Sequence, residues 1–209
     1  MIWGRRQDNA TITQRLDQAF ARIDKANAAD PNLQDNQPAE LLYGWRMTAE
    51  QRLLYPDASE PLQIACRGQH VERWLLPRGD FPEGRAGYLS WRVEQGRHHA
   101  VRVAEIMREV GFGDDEVAQA GRMLRKEGIK RNGEVQALED VACFTFIRHY
   151  MAPFAETRTA RDMERIVNRT ARKMSVMARL LALKEFAIPE PIASYFRDLE
   201  TPEICDSND

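Results

Sequence analysis

Long apolar runs and an excess of charge of one sign are both missing from this chain of 209 residues. No stretch of about 18 apolar residues is present, which predicts that no helix crosses a membrane. The first twenty residues, MIWGRRQDNATITQRLDQAF, lack the apolar core of a secretory signal, so we expect no signal peptide there. The formal net charge of -2 argues against a general nucleic-acid binder but does not exclude a local basic patch.

Cysteine is scarce as well. The three cysteines are Cys66, Cys143 and Cys205, and they are widely spaced with no C-x-x-C pair. An odd number at such spacing disfavours a disulfide framework and a structural zinc site. Reduced thiols and a cytoplasmic location are therefore the expectations.

The remaining composition is typical of a globular protein, with 43% hydrophobic and 30% charged residues. A chain of this length can bury roughly 70% of its unfolded surface in one domain. We predict a single domain over 1–209, with a core at about 12–187 and a partly disordered tail at 188–209. That tail ends in the acidic stretch DLETPEICDSND.

Apolar spacing predicts helices along most of the chain, and alternating β-branched runs are missing, so we predict an all-α fold with a single multi-helix domain. Thr48 with Gln51 matches a capping box, and Ser59 can cap the next helix. The predicted helices begin after Thr13 and then cover 48–55, 60–76, 85–110, 115–126, 135–154 and 161–186.

Three of the four histidines lie in or beside the two predicted helices that flank the loop PRGDFPEGRAG at 77–87. On the helix before the loop, Cys66, His70 and Arg73 share one face by their spacing. On the helix after it, His99 lies where the apolar stripe turns polar, whereas His98 points elsewhere. His70 and His99 are therefore candidate functional residues, and a surface or core position is the alternative for each.

Four arginines lie around the same loop. The planar guanidinium group suits phosphate or carboxylate, which predicts an anion-binding site. Solvated surface or ion pairs with nearby carboxylates are the alternative, and Trp74 and Trp91 are interpreted as packing residues. The predicted anion-binding residues are Arg73, Arg78, Arg85 and Arg92.

Asp140 is unusual because it stands in LEDVACFTFI, among apolar neighbours. A buried carboxylate is costly unless it is paired, hydrogen-bonded or bound to a metal. A salt bridge that joins two helices and a metal site are the alternatives.

Three runs carry a resemblance to a known family: RGQHVERWLLPRGDFPEGRAGYLSWR, HHAVRVAEIMREVG and LRKEGIKRNGEVQALEDVACFTFI. They resemble a bacterial and fungal family called domain of unknown function 4202, over roughly 12–182. Some members carry the label glutamyl-tRNA synthetase. Here only Lys173-Met174-Ser175 is similar to a synthetase signature, and no H-I-G-H accompanies it.

A more remote resemblance is to the HD-domain phosphohydrolases, all-α enzymes with a divalent metal held by His and Asp. It implies an HD-like fold in which His70, His99 and Asp140 hold the metal. The motif is degenerate because Ala100 stands where the pair's Asp is expected. In such a site the metal activates a water molecule and polarises a phosphoryl group.

Two functions follow as the main expectations, and a structural or RNA-associated protein is a third, which the near-neutral charge disfavours and salt-sensitive RNA binding would favour. The first is a metal-dependent hydrolase of a phosphorylated or nucleotide-like metabolite, with a divalent metal ion as cofactor. The second is a non-catalytic module that binds an anionic ligand at a degenerate HD-like site. An anionic small molecule is the expected partner in both, no membrane is expected, and nucleic acid is disfavoured by the net charge.

Overall fold

The computed structural model describes residues 4–190 and 192–197, with side chains from residue 14 onward within these ranges. The described residues are mostly helical, which confirms the all-α prediction. The helices are α1 (Gly4–Asn27), α2 (Ala39–Leu54), α3 (Glu60–Gly68), α4 (Gly84–Glu109), α5 (Asp114–Leu124), α6 (Gly133–His149), α7 (Met151–Glu156), α8 (Ala160–Lys173), α9 (Val176–Glu185) and α10 (Ile192–Arg197).

A two-residue hairpin connects α1 to α2. Strands β1 (Leu33–Gln34) and β2 (Gln37–Pro38) pair antiparallel, with Leu33 opposite Pro38. Asp35 and Asn36 form the turn with φ of 51° and 59°, a left-handed conformation that short polar side chains tolerate. The hairpin leads directly into the first turn of α2.

The chain divides into two compact units, one up to Val141 and the other from Ala142. The boundary lies within α6. In the second unit α10 contacts α8 and α9, and Phe196 is fully buried. The prediction of a single domain with a core at 12–187 stays a prediction, and the end of the acidic tail, from 198 onward, lies outside the described residues.

Helix α3 is central to the first unit because it contacts α1, α2, α4 and α5. Gly68 allows the close approach to α4, since a Cβ there would lie 2.6 Å from Cγ2 of Val103. Cys66 on α3 is fully buried, and burial raises the pKa of its thiol. The largest fully buried side chains of this unit include Ile23, Met47, Ile64, Val71, Ile106, Met107, Met123 and Leu138.

The α4 prediction is confirmed almost to the residue, but two other boundaries near it were wrong. Helix α2 begins at Ala39 rather than at Thr48, whose hydroxyl donates to the carbonyl of Gly44 inside the helix instead of forming a capping box. Helix α3 ends at Gly68 rather than near Leu76, and Glu72 takes a left-handed conformation with φ of 52° that no helix continues through.

The predicted long helix over 161–186 is two helices, α8 and α9. The first ends at Lys173 with Met174 after it, and Ser175 caps the second, accepting a hydrogen bond from the backbone N–H of Ala178 at 3.2 Å. A serine hydroxyl stabilises a helix start in this way. No helix in the described part of the chain is long and apolar enough to span a bilayer.

Candidate functional site

The turn after α3 is fixed by one buried amide. Asn27, at the end of α1, accepts a hydrogen bond from the backbone N–H of Glu72 at 2.9 Å. Its Nδ2 donates to the carbonyl of Glu40 at 3.2 Å. Asn27 is 1% exposed, and its two hydrogen bonds join the end of α1, the start of α2 and the turn at Glu72.

Helix α4 holds the next stretch of this turn through its buried polar side chains. Gln95 Nε2 donates to the carbonyls of Arg73 at 3.0 Å and Leu76 at 2.9 Å. Trp91 Nε1 donates to the same Leu76 carbonyl at 2.9 Å. The polar side chains of α4 therefore donate to backbone carbonyls of the turn, and these hydrogen bonds fix the position of the Arg73 backbone.

The loop between this turn and α4 contacts the first turn of the helix so closely that only glycine fits at position 87. A Cβ at Gly87 would lie 1.8 Å from the carbonyl oxygen of Pro82. Arg78 reinforces the loop, donating to the carbonyls of Phe81 and Pro82, each at 2.9 Å.

His70 is at the centre of the site and has a defined tautomer. Its Nε2 lies 3.1 Å from Nη1 of Arg73, and its Nδ1 lies 2.9 Å from Oε2 of Glu40. Because arginine only donates, Nε2 accepts and Nδ1 carries the proton that it donates to Glu40. The Tyr43 ring stacks on the imidazole at 3.7 Å between centroids. His70 is thus a neutral imidazole held on three sides.

The surroundings favour that neutral state. Burial lowers the pKa of His70 well below its usual value, and the positive charges of Arg73, Lys126 and Arg92 lower it further. The same cause, burial, lowers the pKa of His99, with His70 and Arg73 adding to the effect. Besides burial, the neighbouring charges that lower the pKa of His70 are those of Arg73, Lys126 and Arg92.

His99 is 4% exposed, and its ring centroid lies 6.0 Å from that of His70. Its Nε2 is buried and has no hydrogen-bond partner among the described residues. His98 is packed against it with centroids 5.8 Å apart. A buried nitrogen without a partner costs free energy, so it can be compensated by a ligand.

Glu40 is the carboxyl group of the site. Burial raises its pKa to about 7, Arg73 opposes that shift, and Asp30 adds to it. Oε1 lies 3.7 Å from Nε of Arg73, and Asp30 accepts the backbone N–H of Glu40 at 3.0 Å. A carboxyl group that titrates near neutrality can hold or release a proton at physiological pH.

Arg73 is held in place while part of its guanidinium group remains available. Its Cζ lies 4.7 Å above the Trp91 ring, and Nη1 donates to His70. Nη2 makes no hydrogen bond with the described residues. Arg73 lies on the wall of an open cavity of about 440 Å³. The cavity is lined by Pro31, Asn32, Glu40, Arg73, Trp74, Leu76, Pro77, Arg78 and Trp91.

The four arginines predicted to bind an anion have different surroundings. The charges of Arg73 and Arg92 both act on His70. Arg92 also donates to the Tyr88 hydroxyl at 3.2 Å. Arg78 lines the cavity but uses its guanidinium group on loop carbonyls. Arg85 is exposed and has no hydrogen bond or ion pair with the described residues.

Asp140 is fully buried, as its apolar neighbours predict, and it is hydrogen-bonded. It accepts from the Tyr55 hydroxyl at 2.6 Å and from Nε2 of Gln136 at 2.8 Å. Among the side chains that the structure describes, no three His, Cys, Asp or Glu residues form a group that could hold a metal ion. The arrangement therefore gives no support to metal binding by His70, His99 and Asp140, which stays a prediction.

The sequence did not point to Glu40 or Tyr43, because both lie in a segment predicted as loop, about 30 residues before His70. Lys126 is a third residue near the site that the sequence did not indicate. It has a left-handed φ of 57° and forms an ion pair with the buried Glu139. A helix predicted to start at Ala39 would have placed Glu40 in a first turn, but nothing in the sequence links that turn to His70.

The fold and this site define a helical protein with a buried histidine cluster next to the basic side chains of Arg73, Arg92 and Lys126. The model of the family described as domain of unknown function 4202 matches residues 17–194, so the chain belongs to that family. No curated protein and no solved structure matches it. The Lys173-Met174-Ser175 run has a structural role here, since it forms the junction between α8 and α9.

Proposed function

We propose that the first unit binds a small anionic molecule, through a phosphate or carboxylate group, at the site formed by Glu40, His70 and Arg73. The observation that carries this proposal is the state of Arg73. Its guanidinium group is fixed by His70 and Trp91, yet Nη2 at the cavity wall has no partner among the described residues. A guanidinium group that is already oriented loses little entropy when it binds an oxyanion.

The charge balance supports the same ligand class. Arg73, Arg92 and Lys126 all act on His70, and the nearby carboxyl groups are Glu40, Asp30 beside Glu40, and Glu139. Glu139 is bound to Lys126, and Glu40 is partly protonated near neutral pH. A bound anion would offset the remaining positive charge and raise the pKa of His70.

The cavity suits a small molecule rather than a protein. A volume of about 440 Å³ falls within the range typical of small-molecule sites. Trp74 lies on its wall, half-buried, and its indole N–H has no partner among the described residues. An aromatic face beside an arginine fits a phosphorylated or nucleotide-like metabolite.

Thermal unfolding with inorganic phosphate, pyrophosphate and adenosine monophosphate tests this proposal. A ligand at 100 times its Kd stabilises the folded state by about 2.7 kcal/mol. We expect Arg73→Gln to weaken binding about 10- to 100-fold, because a hydrogen bond to a charged group contributes about 1.5–3 kcal/mol. Arg85→Gln is the matched control, since Arg85 is exposed and outside the site.

The comparison of the two variants decides the result. Stabilisation that is lost in Arg73→Gln and kept in Arg85→Gln supports the site. Equal losses in both would show that the anions bind by general charge, and the proposal would be wrong. It would also be wrong if none of the three anions stabilised the wild-type protein.

A metal-dependent, HD-like hydrolase is the second candidate, favoured by the unpartnered Nε2 of His99 beside a neutral His70. Neutral imidazole is the state that binds divalent metals. It predicts that Mn²⁺ or Zn²⁺ raises the Tm and that His99→Gln removes this shift. Asp140→Asn would also remove it if Asp140 is a ligand, and would lower stability without changing the shift if Asp140 is not a ligand, because its hydrogen bonds with Tyr55 and Gln136 would still be altered. A Tm that no divalent metal changes would contradict this candidate.

A cytoplasmic location belongs to the same proposal. Cys66 and Cys143 are both buried thiols, as is common in proteins of reducing compartments.

A further inference from the structure

The second unit has a charge distribution that the net charge of the chain conceals. Between residues 142 and 197, Lys and Arg outnumber Asp and Glu about two to one, although the whole chain has a net charge of -2. Helix α8 contributes most of this excess. Its basic residues are Arg161, Arg165, Arg169, Arg172 and Lys173, and all five are exposed.

These five residues share one face of the helix. Spacings of four, four and three residues place the arginines on successive turns of the same side. The opposite side faces the interior, where Val167 and Ala171 are buried. At 1.5 Å per residue, the basic face from Arg161 to Lys173 extends over about 18 Å.

Most of this positive charge is not neutralised by the described residues. Arg161 and Arg169 have no ion pair or hydrogen bond with them, and Arg172 donates to the neutral side chain of Asn168 at 2.8 Å. Arg165 pairs with Asp162 at 2.9 Å. The basic face therefore has a positive excess at Arg161, Arg169 and Arg172.

We propose that the basic face of α8 binds the phosphate backbone of a nucleic-acid strand. Four of its five cations are arginines, whose planar group is suited to phosphate oxygens. One strand of a duplex carries a phosphate every 3.4 Å or so, so 18 Å of helix lies along about five phosphates. The length of the basic face thus matches about five phosphates, and its three arginines without a carboxylate partner among the described residues, Arg161, Arg169 and Arg172, can each contact one of them.

The same face argues against a membrane surface and against base-specific recognition. None of the large apolar side chains exposed in the described part of the chain lies on α8, so it has nothing to insert among lipid chains. It also has no aromatic side chain on which a base could stack. The binding is therefore electrostatic and independent of base sequence.

Fluorescence anisotropy with labelled single-stranded and duplex oligonucleotides, over about 50–200 mM salt, tests this proposal with the full chain. Three contacts from Arg161, Arg169 and Arg172, or four if Arg165 leaves Asp162, predict a slope of log Kobs against log salt of about -2.5 for single strands and about -3 for duplexes. In the Arg161→Gln/Arg169→Gln variant the slope should shrink by about 1.4 for single strands, because two contacts are lost.

Three controls distinguish this face from general charge. Arg161→Lys/Arg169→Lys keeps the charge and should keep the slope. Arg52→Gln removes an exposed arginine of the first unit and should have no effect. Arg73→Gln should leave oligonucleotide binding unchanged, so the failure of the small-anion proposal and the failure of this one can be told apart.

Several outcomes would overturn the proposal. They are no binding at the lowest salt concentration, an affinity that salt does not change, an equal loss in Arg52→Gln, and tighter binding to phosphatidylserine vesicles than to either oligonucleotide.

Discussion

At the scale of single residues, Glu40 decides how the candidate site responds to pH. It is a carboxyl group beside an arginine at a cavity wall, and burial raises its pKa to about 7. An ionised Glu40 repels a second anion, whereas a protonated Glu40 can donate a hydrogen bond to it. Proton uptake by Glu40 and anion binding should therefore favour each other.

The first prediction concerns affinity. Sulfate is the better probe because it stays doubly charged where phosphate itself titrates. We expect sulfate to bind more tightly at about pH 6 than at pH 8, and Glu40→Gln to bind it tightly and equally at both. Isothermal titration calorimetry measures this, with Glu94→Gln as the control at an exposed carboxylate. A pH dependence that survives in Glu40→Gln would assign the effect to another group.

The second prediction concerns stability. The folded-state pKa of Glu40 lies above its unfolded value of 4.5, so its stabilising contribution is complete below 4.5 and is lost as pH rises through about 7. The free energy of unfolding that is lost in this way has an upper limit of about 3 kcal/mol. His70 and His99 act in the opposite direction, since their lowered pKa values cost stability as pH falls below 6.5.

The difference between Glu40→Gln and wild type isolates the glutamate, because both proteins keep the two histidines. Glu40→Gln should be the more stable protein at pH 8, and its advantage should shrink toward pH 5. Urea unfolding at several pH values measures this difference. An advantage that stayed constant with pH would show that Glu40 is not the titrating group.

At the scale of elements, the site depends on the contact between α4 and the loop before it. The Cβ of an alanine at position 87 would overlap the Pro82 carbonyl, so the loop or the helix must move. We expect Gly87→Ala to cost about 1–3 kcal/mol of stability. Anion affinity should fall as well, because Gln95 and Trp91 on the same helix fix the backbone of Arg73 and Leu76.

The matched control is in the same loop. Gly79 has open space where a Cβ would be added, and its backbone is not left-handed. Gly79→Ala should be close to neutral in stability and in binding. Chemical denaturation measures the stability and phosphate titration the anion affinity of both variants. Similar losses in Gly87→Ala and Gly79→Ala would show that the contact between α4 and Pro82 has no particular importance for the site.

At the scale of the whole molecule, local patterns were predictable and long-range contacts were not. The all-α class and α4 follow from apolar spacing, which is a property of neighbouring residues. The sequence predicts that His70 and Arg73 share the face of one helix, but that helix ends at Gly68. Nη1 of Arg73 still lies 3.1 Å from Nε2 of His70, because the turn after α3 is also tight.

Partners that are distant in sequence could not be found in this way. Glu40 meets His70 across 30 residues, and Asp140 meets Tyr55 across 85. Local apolar spacing does not show which apolar faces pack together. The net charge of the chain averages over two units of different composition, so it does not show the basic face of α8.

Because Cys66 is buried, the rate at which its thiol is alkylated can report local opening around the site. Its thiol has no contact with water and its pKa is raised, so an alkylating reagent should reach it only when α3 separates from its neighbours. The turn that carries His70 follows α3 directly. The rate of alkylation would therefore report how often this part of the molecule opens, and any anion that binds at Arg73 should slow it.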